Sequence, residues 1–156
     1  MSFCTTDILL LSSAIYQTLG SPPTTSIGYI SGWITSSGNL GDLTNKLDVP
    51  LYLSGDAPCV VGLDTQEAAV LRLAFMAEYY NGQALSTLAG VGVGWLELKE
   101  GDTTIRRESR ATLAKEYRGL RDSAYKELRV AISDYKRDKS SILSVDYSDL
   151  PAWPQS

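Results

Sequence analysis

From about Ser109 onward the apolar residues Leu113, Tyr117, Leu120, Ala124, Leu128, Ala131 and Tyr135 recur in steps of 4, 3, 4, 4, 3 and 4. Only a helix gathers such residues on one side, since in a strand they would scatter over both faces. At about 1.5 Å per residue a helix over 109–139 is about 45 Å long. A chain of 156 residues built on it must lay its shorter elements along that one apolar side. The sequence therefore reads as mainly α, a small helical bundle with one long C-terminal helix.

The upstream segments fit that plan. Thr5-Thr6-Asp7 opens a first helix to Leu19, with Ile8, Leu11, Ile15 and Leu19 at helical spacing and Gly20 with Pro22-Pro23 as the stop. Ser26 to about Ser36 is a second, with Ile27, Ile30, Trp33 and Ile34 on one side and Gly38 ending it. The stretch 38–62 reads as loop, with at most one helical turn at Leu40 to Leu47 and a short apolar run at Leu51 to Leu53. Asp64-Thr-Gln-Glu67 has capping-box spacing and starts a third helix. That helix carries charge only at Arg72 and Glu78 between Ala68 and Tyr80, so it needs cover on nearly every side. It is either the centre of the bundle or a helix that also meets a neighbouring subunit. Asn81-Gly82 is expected to interrupt it, with Leu85 and Leu88 continuing briefly.

Trp95-Leu-Glu-Leu-Lys99 alternates, Glu100-Gly101-Asp102 is turn chemistry, and Thr103-Thr-Ile-Arg-Arg107 returns, giving a short β-hairpin at about 95–107. After Lys139 the residues Ile142, Val145, Tyr147, Leu150 and Trp153 stand among serines and two prolines. This reads as an extended C-terminal tail, residues 140–156, following a helical domain over 1–139. Its apolar residues Val145, Tyr147, Leu150 and Trp153 are candidate docking anchors and need a surface to lie on.

Chemistry is narrowed by what is missing. The chain has no histidine, which removes histidine acid/base catalysis, Ser-His-Asp triads and most zinc sites. Cys4 and Cys59 are far apart without CxxC spacing and read as reduced thiols of a cytoplasmic protein. Asp42, Asp48, Asp56 and Asp64 are scattered through loop, where turns and caps account for them. Gly90, Gly92 and Gly94 follow a helix and lead into Trp95, so they lack both the strand and the Gly-Lys-Ser/Thr of a phosphate loop. The reading is a non-enzyme without cofactor or metal. Although 34 residues without a charge separate Asp7 from Asp42, their longest wholly apolar run is Ile8 to Leu11, far short of a membrane span.

The net charge of −4 conceals two ends: residues 1–98 carry −6 and residues 105–139 carry +5. On the long helix the charges also separate by side. Arg118, Arg129 and Lys136 fall on one flank of the apolar stripe, and Glu116, Glu127 and Asp134 on the other, because spacings of 11 and 7 return to nearly the same angle. Asp122 with Lys126 is one of few pairs able to close within the helix. A mixed-charge helix facing solvent is the plain alternative. A helix with one cationic and one anionic flank satisfies a copy of itself placed alongside, and such head-to-tail contacts close into rings when the rotation allows. These six residues are the candidate subunit interface.

The order of elements is similar to that of virion proteins of tailed bacteriophages. The segments that carry the likeness are Ser26-Ile-Gly-Tyr-Ile-Ser-Gly-Trp-Ile34 leading into Asn39-Leu-Gly-Asp-Leu-Thr-Asn-Lys-Leu47, the helix ending Glu78-Tyr-Tyr-Asn-Gly82, Trp95-Leu-Glu-Leu-Lys-Glu-Gly-Asp102 with Ile105-Arg-Arg107, and Ala114-Lys-Glu-Tyr-Arg-Gly-Leu120. Together they resemble head-to-tail connector (adaptor, neck) proteins; residues 48–62 and the tail after Lys139 do not match. The resemblance implies a mostly helical structural subunit, usually in a dodecameric ring, that joins the portal protein to downstream neck or tail proteins. Genome DNA would pass through its lumen without sequence-specific binding, in a virion assembled in the host cytoplasm. An acidic body suits such a conduit, since a cationic lining would hold DNA in place. The other reading is a small helical regulator that sets Arg107, Arg118 and Arg129 against nucleic-acid phosphates.

Overall fold

The computed structural model describes residues 7–53, 60–89, 97–100, 103–106 and 110–141. They form five helices and two small antiparallel sheets: α1 (Ile8–Thr18), α2 (Ile27–Thr35), α3 (Ser37–Leu47), β1 (Tyr52–Leu53), β2 (Val60–Val61), α4 (Thr65–Ala89), β3 (Glu97–Glu100), β4 (Thr103–Arg106) and α5 (Arg110–Ser141). The mainly helical class, the hairpin and the long last helix all stand as the sequence predicts. The hairpin pairs Glu97 with Arg106 and Glu100 with Thr103, so Trp95 and Arg107 lie outside the described residues.

Helix starts follow their caps. Asp7 accepts from the Leu9 amide at 2.7 Å, and Ser26 accepts from the Tyr29 amide at 3.1 Å, each satisfying an amide that the helix cannot. The first helix therefore begins directly after Asp7, the last residue of the opening that the sequence predicts.

Three sequence expectations need correction. Residues 37–47 form a three-turn helix where loop with one turn was predicted, despite Gly38 and Gly41 inside it. Leu40, Leu43 and Leu47 step 3 and 4 onto one side and are all buried, and that burial outweighs the cost of two helical glycines. Gly38 does not end α2; Ser36 does, closing α2 in extended geometry and standing before the first residue of α3. Likewise α4 runs unbroken through Asn81-Gly82 to Ala89. Packing against α5 supplies what local propensity lacks, and the Asn81 side chain is itself used there.

The core sits between α4 and the layer of α1, α2 and α3, with Ile8, Ile15, Ile30, Ile34, Leu71 and Phe75 almost fully enclosed. Phe75 is ringed by aromatics, with Trp33 edge-on at 5.2 Å and Tyr79 stacked at 6.3 Å. On the other side α4 lies along α5, where Ala77, Ala84, Ala114 and Ala124 are buried and small enough for the two helices to approach closely. Two polar links tie this pair. Tyr135 Oη donates to Glu67 Oε1 at 2.6 Å, and Arg121 Nη1 donates to Asn81 Oδ1 at 3.2 Å. They are fourteen residues apart on each helix, which is the register of a regular antiparallel pair. So α4 is the central helix, covered on two sides.

The β1–β2 ladder pairs Tyr52 with Val61 and Leu53 with Val60, and places Leu51, Val60 and Leu63 against the core beyond α3. Gly62 leaves it with φ +82°, where an added Cβ would lie 2.7 Å from the Pro50 carbonyl oxygen.

Candidate assembly surface

Helix α5 positions the predicted residues. Its buried side is Ala114, Ala124, Leu128 and Tyr135, with Leu113, Tyr117 and Ala131 half-buried. Leu120, expected in the same stripe, is 47% exposed, because α4 covers a narrower arc of α5 than the stripe spans. Ala114 takes a buried place that the spacing did not assign.

On one flank Arg118, Arg129 and Lys136 are exposed, and among the described residues none of them makes an ion pair. Tyr125, 42% exposed, stands among them. On the other flank Glu116 and Glu127 are exposed and Asp134 is half-buried, with the outward Leu120 and Val130 between them. Here Asp134 pairs with Arg137 at 2.9 Å, and Glu127 accepts from the Ser123 hydroxyl at 3.5 Å. Asp122 pairs with its neighbour Arg121 at 2.7 Å, not with Lys126 as the four-residue spacing suggested. Arg121 also donates to Asn81, and the Arg121–Asp122 pair lies on the cationic side of the helix.

The structure thus keeps the two groups of three on separate, solvent-facing flanks and gives each an apolar companion. Tyr125 and Val130 were legible only by projecting every apolar residue of the helix, including those off the main stripe. The tail anchors Val145, Tyr147, Leu150 and Trp153 lie outside the described residues, as do Cys4, Cys59 and Gly90, Gly92 and Gly94. Helix α5 continues to Ser141, so the proposed boundary at 139 falls inside it.

Where α2, α3, α4 and α5 meet there is a pocket of about 170 Å³ whose two carboxylates are taken up: Asp42 by Lys46 at 2.6 Å, and Glu78 by Trp33 Nε1 at 2.9 Å. Burial, the hydrogen bond to Glu67 and the nearby carboxylates of Glu67 and Asp64 raise the Tyr135 phenol far above its ordinary value. Burial foremost, then Tyr79 and Tyr117, raises that of Tyr80. Among the described residues no group of three or more acids, cysteines or histidines is placed to hold a metal ion, and no helix is long and apolar enough to cross a membrane. No protein-family model, curated protein or solved structure matches the chain.

Proposed function

We propose that the chain is a non-catalytic assembly subunit, a head-to-tail connector or adaptor of a tailed-phage virion, which forms a ring through the two flanks of α5. One observation carries the reading: Arg118, Arg129 and Lys136 with Tyr125 on one flank, and Glu116, Glu127 and Asp134 with Leu120 and Val130 on the other, are outward-facing and complementary in charge. Each flank has the make-up of a small interface, an apolar contact rimmed by charge. Because the two surfaces differ, copies join heterologously. At about 100° per residue the flanks diverge by about 160° around α5, and with α5 upright the shortfall from a straight line turns each copy relative to the last, as closure requires.

The joining of portal to tail, the copy number of twelve and the passage of DNA come from the resemblance in the order of elements. The acidic first two thirds of the chain suits a lumen that must release DNA. Negative-stain imaging of the purified full chain, with mass by light scattering, tests the reading. Rings of one size are expected. Particles of monomer mass at every concentration would overturn it, and such particles binding DNA with steep salt dependence would favour the regulator.

A further inference from the structure

At the far end of α5 a groove of about 500 Å³ opens between that helix and the end of α3. Leu47 and Tyr135, both buried, form its floor, Val49 its half-buried wall, and the exposed Lys136 and Lys139 its rim. Lys139 Nζ lies 5.4 Å from the centre of the Tyr135 ring, so its cation is held over the floor. Asp48 is the one acid on this lining. An apolar floor under two lysines fits a peptide that is apolar and acidic.

The chain contains one such peptide next to its own groove. After Ser141, residues 142–156 include Val145, Tyr147, Leu150 and Trp153, two acids, Asp146 and Asp149, and no basic residue. Lys136 also belongs to the cationic flank, against which a neighbouring copy would set its anionic flank. In that arrangement the neighbour's α5 ends beside this groove, and its residues 142–156 start within reach, since fifteen residues extend up to about 50 Å.

We infer that the groove is the receptor for residues 145–150 of the neighbouring copy, with Asp146 on the rim lysines Lys136 and Lys139 and with Tyr147, on the opposite side of the extended segment, facing the groove lined by Leu47, Val49 and Tyr135. This inference rests on the ring reading. It makes each contact two-part, a flank and a strap, and gives the tail anchors a defined partner, a second copy of this chain.

The experiment places a photo-crosslinking amino acid at Tyr147 in full-length chains, mixes isotopically light and heavy copies, irradiates, and maps the linked peptides by mass. Links between light and heavy chains that join residue 147 to residues 45–49 or 135–140 are expected, and Lys139→Glu, which leaves Lys136 and the rest of the flank in place, should reduce them several-fold. Rings that form but link residue 147 elsewhere, or only within one chain, would overturn the inference and leave the ring reading intact. Single copies without rings and without links between chains would overturn both.

Discussion

The phenol of Tyr135 donates a 2.6 Å hydrogen bond to Glu67 Oε1, joining the start of α4 to the last turns of α5 in a place where Glu67 is 3% exposed. The second oxygen, Oε2, is buried without a partner among the described residues, so this one bond carries the solvation of the carboxylate. Tyr135→Phe should lower unfolding free energy by about 1–3 kcal/mol, the usual cost of stranding a buried polar group. Glu67→Leu combined with Tyr135→Phe should be less destabilised than the single changes add up to, because neither partner is left stranded. Urea unfolding of the four proteins measures both, and additive losses would mean the pair is not coupled.

Alkaline pH acts on the same contact. The folded-state value of Tyr135 is raised above the ordinary tyrosine value of about 10. Below about pH 10 both states keep the proton and the contribution is complete. Above it the unfolded chain releases the proton while the folded protein retains it, so stability falls as pH rises. Unfolding curves at about pH 9 and about pH 11 should show this loss, smaller in Tyr135→Phe. It should not vanish there, because the Tyr80 phenol is raised as well.

Gly62→Ala should cost about 1–3 kcal/mol, read as a lower melting temperature in a thermal scan. Its φ of +82° disfavours any Cβ, and that atom would meet the Pro50 carbonyl at 2.7 Å. Gly82→Ala is the control. It sits inside α4 with nothing within 4 Å of an added Cβ, so it should stabilise by about 0.5–1 kcal/mol.

Elements with long, regular spacing were legible in the sequence, and those held by distant partners were not. Leu113 to Tyr135 announce α5 because helical periodicity is a local property of the chain. Helix α3 was hidden because Gly38 and Gly41 argue against it locally, while the reason for it, burial of Leu40, Leu43 and Leu47, is tertiary. The β1–β2 pairing joins Leu53 to Val60, two residues at each edge, too short for any alternation to show. Glu67 was read as the acid of a capping box and turned out to be the buried partner of a tyrosine 68 positions away. For the candidate surface the charged residues were legible from angle alone. Exposure of Leu120, by contrast, depended on how wide an arc of α5 the neighbouring α4 covers.

Charge reversal across the flanks is the sharpest test of assembly. Arg118 and Arg129 are exposed, so Arg118→Glu with Arg129→Glu should leave the fold intact by circular dichroism. Exposed ion pairs contribute only about 0.2–1 kcal/mol each, so one substitution would be absorbed. Two act at every contact of a ring, and the reversal puts acid against acid rather than merely removing attraction. The doubly reversed chain should scatter light as small species. Adding Glu116→Arg and Glu127→Arg on the same chain makes the flanks complementary again with opposite sign, and should restore the large species. Salt provides an independent check, since at about 1 M the screening length falls to about 3 Å and the wild-type assembly should loosen. Rings unaffected by the double reversal would show that the flanks of α5 face solvent and that copies join elsewhere.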